Sequence, residues 1–343
     1  MARVWKKRCP ENAPLADWGK AAKPCPICLW WKWRRNPTNL QTNNSKPDPL
    51  KQAAQPIDGS VTRHQGAEGQ TNVNNTRLRR WLTLLALKTT AHFFPAAGRL
   101  IPISKNLVVK RGRSVSLTES STMRFVATNT SIPVPRVCCA FVHRHVAYIV
   151  MKRVQGVTLA EALAKASPAE KDSLLEQLRF YITELRSITS PHGTRVQSCI
   201  GGPLRDSRIS AAEPSFGPFA TINDFHIWLR RKLRLEDIKG GERHEDWPGL
   251  KNMIARQDKA WLQPCIFTHA DLNPFNILVL GMRIVSIIDW EFSGWYPYYW
   301  EYTSTWLGSE LDRHWRMLIP EWLETHEEDL DMEIVRQRYW ADG

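Results

Sequence analysis

The chain has 343 residues, 43% of them hydrophobic, with 16 Trp and a formal charge of +13. That is enough apolar material for two domains or lobes around a sizeable core, which excludes a chain disordered throughout. The seven cysteines, at 9, 25, 28, 138, 139, 199 and 265, are odd in number and scattered, so they exclude a secreted disulfide framework and predict a reducing, cytoplasmic setting. Basicity is uneven: residues 1–113 hold 21 Lys and Arg against 5 Asp and Glu, whereas the remainder holds 26 against 29.

In chain order, Met1 to Pro10 is basic but runs into Glu11, Asn12 and Pro14, so no secretory signal is expected. Trp30, Trp31 and Trp33 among Lys32, Arg34 and Arg35 are stacking groups of the kind a nucleic-acid arm uses. A cationic tail without a motif binds polyanions weakly, however, and nucleic acid is not the expected partner. Cys25 and Cys28, with only Cys9 and His64 near in sequence, lack the second half-site that zinc requires. Residues 1–77 are therefore expected to be a basic, disordered leader, because the Asn, Gln, Pro, Thr and Ser of 36–77 bury too little surface to offset chain ordering.

Residues 78–93 predict an amphipathic helix. Its apolar run, Trp81 to Leu87, is bounded by Arg79, Arg80 and Lys88 and is far too short to span a membrane; no transmembrane helix and no membrane partner are expected. A strand follows at 106–110, then a helix beginning near Glu119 with Met123 and Val126 in one apolar stripe. Pro133 and Pro135 stop it. Residues 136–141 and 147–151 predict a hairpin. Ser167-Pro-Ala-Glu170 is a capping box with proline at the first helical position, and Leu174, Leu178, Ile182 and Leu185 continue on one face. A further helix is predicted over 222–237 with Phe225, Trp228, Leu229 and Leu233 inward. A last one opens at Pro320 and packs through Trp322, Leu323, Leu330 and Ile334. The acidic run Glu321, Glu324, Glu327, Glu328, Asp329, Asp331 and Glu333 predicts a solvated helix face in preference to a site that attracts a cationic amine or aminosugar.

The most informative segment is Phe267 to Val279, followed by Ile287-Ile-Asp-Trp-Glu291. Two aliphatic runs, 276–280 and 283–288, are split by Gly281 and predict a hairpin with Asn276 and Asp289 at the same end. The spacing His269-x-Asp271-x4-Asn276 with a later Asp289 fits the catalytic loop and metal-binding aspartate of phosphoryl transfer. Such chemistry needs a carboxylate facing the attacking hydroxyl, here Asp271, and hard oxygen donors for Mg²⁺, here Asn276 and Asp289. His269 would organise the loop. Taken singly, the same residues are ordinary turn formers and strand ends.

On these motifs, together with Leu107-Val-Val-Lys110, Thr122 to Val126, Asn129 to Arg136, Tyr148-Ile-Val-Met151, Gly217-Pro-Phe219 and Asp289 to Tyr302, the chain resembles the aminoglycoside phosphotransferase-like kinases, in particular their uncharacterised fungal members. The resemblance runs from about Ile103 to Tyr339. It implies an α+β, two-lobed protein-kinase-like fold, with a small mainly β N-lobe at 78–153 and a larger mainly helical C-lobe at 154–343. It also implies that Lys110 contacts ATP phosphates and pairs with Glu119, and that Met151 to Gly156 is the hinge, meeting adenine through the backbone of Met151 and Arg153. Lys152 stands where the family has Glu, and Ala270 where many members have Gly. The usual glycine-rich loop is missing ahead of the lysine strand; Ser104 and Asn106 stand in its place.

ATP- and Mg²⁺-dependent transfer to a hydroxyl of a small molecule is therefore the leading expectation. A pseudokinase or nucleotide-binding module without turnover is the alternative, suggested by the atypical phosphate loop. No Ala-Pro-Glu motif follows Asp289, which argues against a protein kinase. Glu291 and Glu301 are candidates for an acceptor pocket, with Glu301 alternatively anchoring the Trp-rich segment. The acceptor and the oligomeric state are not specified by the sequence.

Overall fold

The computed structural model describes residues 71–209, 215–238, 247–309 and 313–340. The expectations for residues 1–70, including the nucleic-acid arm and the Cys25–Cys28 pair, lie outside the described residues. Among the described residues, 71–95 and those from Arg99 onward form one unit. All the helices and strands belong to it.

A four-stranded antiparallel sheet opens the fold, in the order β1 (Leu100–Pro102), β2 (Leu107–Gly112), β4 (Val146–Lys152), β3 (Val137–His143). Alternation along β4 decides its two faces. Tyr148 and Val150 join Val109, Phe141 and Cys139 under α1 (Arg77–Lys88). Ala147, Ile149 and Met151 turn the other way into the main core with Met123 and Val126 of α2 (Thr118–Asn129). Lys110 pairs in register with Ile149, so it lies on the α2 face of the sheet. The helix expected over 78–93 ends at Lys88 and resumes as a 3₁₀ turn at Thr90–Phe93, where the Thr89 and Thr90 hydroxyls bond to the carbonyls of Leu85 and Ala86.

Beyond residue 153 the chain is mainly helical. It contains β5 (Val157–Thr158), α3 (Leu159–Leu163), α4 (Pro168–Ser187), α5 (Ile222–Leu229) and α6 (Trp247–Gln257), then β6 (Ile266–Thr268), β7 (Ile277–Leu280), β8 (Arg283–Ile287) and β9 (Gly294–Tyr296). α7 (Trp300–Gly308), α8 (Arg313–Trp322) and α9 (Glu327–Trp340) complete it. α4 starts as its sequence predicts, with the Glu170 carboxylate accepting from both the N–H and the hydroxyl of Ser167, and Leu174, Leu178, Ile182 and Leu185 are buried. Gly156 is where the chain leaves the first sheet to reach β7; a Cβ there would lie 2.8 Å from the Val279 carbonyl oxygen, so only glycine permits this approach.

Three helical expectations are corrected. α5 stops at Leu229 instead of running to 237, because Arg231 and Lys232 take left-handed backbone conformations. The turn is held by buried Arg230, whose guanidinium donates to Leu233 O and to Asp258. Pro320 does not open the last helix but sits inside α8; burial of Trp315, Ile319 and Trp322 along one stripe outweighs the backbone bond that proline removes. In α9, Ile334 is exposed while Asp329, Glu333 and Arg336 are buried. The acidic run is thus only partly a solvated face: Asp329 accepts from Arg256 and Tyr298, and Glu333 from Arg336.

Candidate active site

Carboxylates from two segments, α2 and the stretch that follows β8, converge on Lys110. Its Nζ lies 2.8 Å from Glu119 Oε2, 2.7 Å from Asp289 Oδ1 and 3.7 Å from Glu291 Oε2. The pairing with Glu119 follows from the local pattern: the strand aims Lys110 at α2, and the stripe that buries Met123 and Val126 also buries Glu119 in the first turn. Asp289 reaches the same point because β7 and β8 pair antiparallel, with Ile277 opposite Ile287, and Ile288 N–H bonds to Asn276 O at 2.9 Å. Asn276 and Asp289 therefore stand at one end of the hairpin, as expected.

Electrostatics follow from three carboxylates sharing one ammonium. Burial works against the Lys110 charge, yet Glu119, Asp289 and Glu291 together hold its pKa above the ordinary lysine value. Burial pushes the Glu119 carboxyl up to about 7 against the attraction of Lys110, and the negative charges of Asp289 and Glu291 push it further. The cluster carries an excess of negative charge around its single buried cation. One oxygen from each of Glu119, Asp289 and Glu291 lies within 4.8 Å of the others.

The second half of the site is the loop from His269 to Asn276. His269 is fully buried. Its Nδ1 accepts the Asp271 N–H at 3.2 Å and its Nε2 faces Ile288 O at 3.1 Å, so the geometry assigns a neutral ring with the proton on Nε2. Burial lowers its pKa to about 4. Its two ring nitrogens thus join the Asp271 backbone to that of Ile288. Asn276 Nδ2 donates to Asp271 O at 2.8 Å and to Asp271 Oδ2 at 3.2 Å, and Asn273 Nδ2 donates to Asp271 O at 3.2 Å. Two amides therefore restrain the Asp271 carboxylate and its backbone.

Glu301 belongs to this loop, not to an acceptor pocket. From α7 it accepts the N–H groups of His269 at 2.6 Å and Ala270 at 3.1 Å. Burial raises its pKa, while these bonds and the charge of Arg186 oppose the rise. Ala270 has φ +66°, which explains why glycine suits this position. Asp289 is also left-handed, at φ +65°, a conformation that Asp tolerates better than most residues.

The expected nucleotide-contacting residues gather at the other end of β2. Asn106 N–H bonds to Ser104 Oγ at 3.2 Å, and Asn106 O accepts Arg153 N–H at 2.9 Å. Ser104, Asn106 and Arg153 thus form one turn-and-ladder unit, with the Arg153 N–H engaged by the Asn106 carbonyl. Met151 is buried on β4 opposite Val108.

Sequence reasoning misses Asn273, the loop-holding role of Glu301, and the Arg99–Glu291 contact at 3.4 Å. Asn273 lies two residues after Asp271, the spacing of a side chain that folds back on its own turn, so the sequence does carry a signal for it. No local pattern announces the other two.

A family model described as the phosphotransferase enzyme family matches residues 105–333. The chain belongs to the phosphotransferase enzyme family. The match embraces Lys110, Glu119, the His269–Asn276 loop, Asp289 and Glu291, and it makes the chain a kinase-fold small-molecule phosphotransferase. A search of curated proteins found no match. Among solved structures, this phosphotransferase is similar to a thermostable mutant of aminoglycoside phosphotransferase APH(4)-Ia in its apo form. Identity is 15% over 70% of this chain and 80% of that one, with a TM-score of 0.49. It is also similar to an aminoglycoside-3'-phosphotransferase of type VIII, at 16% identity over 74% of this chain and 98% of that one, TM-score 0.44. The gentamicin complex of APH(2")-IIa gives 16% identity over 77% and 86%, TM-score 0.44.

Proposed function

We propose that this phosphotransferase moves the γ-phosphoryl group of ATP, with Mg²⁺, to a hydroxyl of a small molecule. The observation that carries the reading is Lys110 held between Glu119 and Asp289, a 2.8 Å and a 2.7 Å contact, in a chain whose Asp271 carboxylate is restrained by Asn276. Asp271 takes the proton of the acceptor hydroxyl as its oxygen bonds to the γ-phosphorus; the bond from that phosphorus to the β-bridging oxygen breaks, and ADP leaves. Lys110, positioned by Glu119, lies against the α- and β-phosphates.

The donor set suits Mg²⁺: Asn276 and Asp289 offer hard oxygens, and two protein ligands leave coordination places for water and phosphate oxygens. Bound there, the ion supplies charge neutralisation to the phosphates. Met151 and Arg153 would flank the adenine, and Ser104 and Asn106 the phosphates. The division into lobes at 78–153 and 154–343, and a reducing, cytoplasmic setting, belong to the same proposal. It is supported by the strands β1–β4, which form one sheet before residue 153.

One feature favours the alternative of nucleotide binding without turnover: the Ser104–Asn106 turn is closed on itself and on Arg153. The deciding experiment follows thermal unfolding with Mg²⁺ and ATP, and ADP release in an acceptor screen of small alcohols and aminosugars, for wild type and Asp271→Asn. Turnover that drops at least about 100-fold in the variant, with the ligand-induced stabilisation retained, supports the enzyme. Stabilisation without acceptor-dependent ADP release in wild type supports the binding module, and no response to Mg²⁺ and ATP overturns both.

A further inference from the structure

α1 has two unlike faces. Leu84, Ala86 and Leu87, with Ala91 just beyond, pack on the sheet against Val109, Phe141 and their neighbours. On the opposite side Leu78, Trp81, Leu82 and Leu85 are 64%, 59%, 48% and 40% exposed, and Phe93 after the helix is 83% exposed. The spacing i, i+3, i+4, i+7 places the first four within an arc of about 100°. Such a stripe normally faces a core. Here it faces outward, and a contiguous outward patch of large apolar side chains marks a docking surface.

The charge around the stripe has one sign. Arg77 and Lys88 border it on one side and Arg79 on the other. Between Glu68 and Glu119 the sequence contains no Asp or Glu but nine Lys or Arg. A second copy of the chain would bring like charges together with no carboxylate on either helix, which disfavours self-pairing. An anionic lipid surface complements both features: its headgroups suit the cations, and its acyl boundary suits leucine, Trp and Phe side chains.

We propose that α1 lies in the plane of an anionic membrane, with Leu78, Trp81, Leu82, Leu85 and Phe93 inserted and Arg77 and Lys88 on the headgroups, while Arg79 stays tied to Cys138 O at 3.0 Å. This is attachment, not spanning: α1 has 12 residues, and among the described residues no helix is long and apolar enough to cross a membrane. The expectation of no membrane partner rested on span length, which does not govern a surface helix. α1 covers the sheet face bearing Val150, whereas Lys110 lies on the α2 face with Ile149. Attachment through α1 would therefore leave the Lys110 side of the sheet uncovered.

The test is flotation of the full chain with vesicles of phosphatidylcholine alone and with vesicles containing about 30% phosphatidylserine, beside the triple variant Leu78→Ser, Trp81→Ser, Leu85→Ser. Circular dichroism verifies that the variant folds; single Trp81→Ser and Leu85→Ser variants replace it if it does not. The expected result is flotation of wild type with anionic vesicles only, and a bound fraction at least about tenfold lower for the triple variant. Equal flotation of both proteins overturns the proposal, since cations elsewhere would then be responsible. So does a wild type that ignores both vesicles, or one that is dimeric in solution while the variant is monomeric and neither floats.

Discussion

Lys110 Nζ lies 2.7 Å from Asp289 Oδ1, a contact between residues 179 apart in sequence. It ties β2 to the end of the β7–β8 hairpin, and Glu119 and Glu291 join it around Lys110, with Arg99 reaching Glu291 from the other side at 3.4 Å. The stability of this cluster and its readiness for a nucleotide are consequently linked.

Replacing Lys110 with Met removes the buried ammonium that Glu119 and Asp289 share, while Glu291 keeps Arg99. The expected loss is about 3–5 kcal/mol in urea unfolding, together with loss of the stabilisation by Mg²⁺ and ATP. Lys110→Arg retains the charge and should recover part of the stability. A Met variant as stable as wild type would show that the cluster does not depend on Lys110.

The Glu119 carboxyl, pushed up to about 7 from an ordinary 4.5, gives a signed pH effect. The folded chain holds this proton more tightly than the unfolded chain, so the group's contribution is fully present below about pH 4.5 and is lost as pH rises through about 7. Glu119→Gln mimics the protonated carboxyl and should gain stability relative to wild type across that window, by a few kcal/mol at most. Unfolding free energies of the two proteins between pH 5 and pH 8, taken as a difference, cancel the opposite trend from His269, whose lowered pKa favours the folded state as pH rises. A difference that is flat or falls with pH contradicts the shared-cation picture.

Glu301 accepts two loop N–H groups at once. Glu301→Gln keeps the size but turns an amide NH2 group, itself a donor, toward one of those N–H donors, costing about 1–3 kcal/mol. Because the bonds position the loop that carries Asp271, kcat should fall more than KM rises. Steady-state kinetics with an accepted alcohol would reveal the opposite split if Glu301 instead contacted the acceptor.

Ala270 is buried and left-handed. Ala270→Gly should shift stability by less than about 1 kcal/mol, since relief of backbone strain is offset by a more flexible unfolded chain. Ala270→Val adds a β-branched side chain in the same conformation and should cost about 2 kcal/mol or more. Thermal midpoints of the two variants check the ordering.

Much of the site is legible in the sequence because its geometry is local. The gap from Asp271 to Asn276 lies within one loop, the Asn276–Asp289 relationship within one hairpin, and the Lys110–Glu119 pair across a strand and the next helix. Spacing and period carry the loop and the hairpin directly, whereas the Lys110–Glu119 pair is implied by the resemblance to the kinase-like phosphotransferases. Elsewhere, local patterns mislead. Leu233 continues the apolar spacing of α5, but Arg230 bonds across to Asp258 and ends the helix first. Pro320 has the form of a helix start, yet the Trp315–Trp322 stripe keeps it inside α8.

By itself the sequence determined the α+β character, the order of the elements, the resemblance to the kinase-like phosphotransferases and the residues able to bear the chemistry, because these depend on side-chain type and on periods of two and 3.6. The tertiary structure alone decided which acids are spent inside: Glu301 on the His269 and Ala270 amides, Glu291 beside Lys110 and Arg99, and Glu333 on Arg336. It also decided that one apolar stripe of α1 stays outside. A buried carboxylate must find donors to offset its desolvation, and an apolar stripe must find a surface to cover it. Both partners come from distant segments, so no local window of the sequence contains the answer.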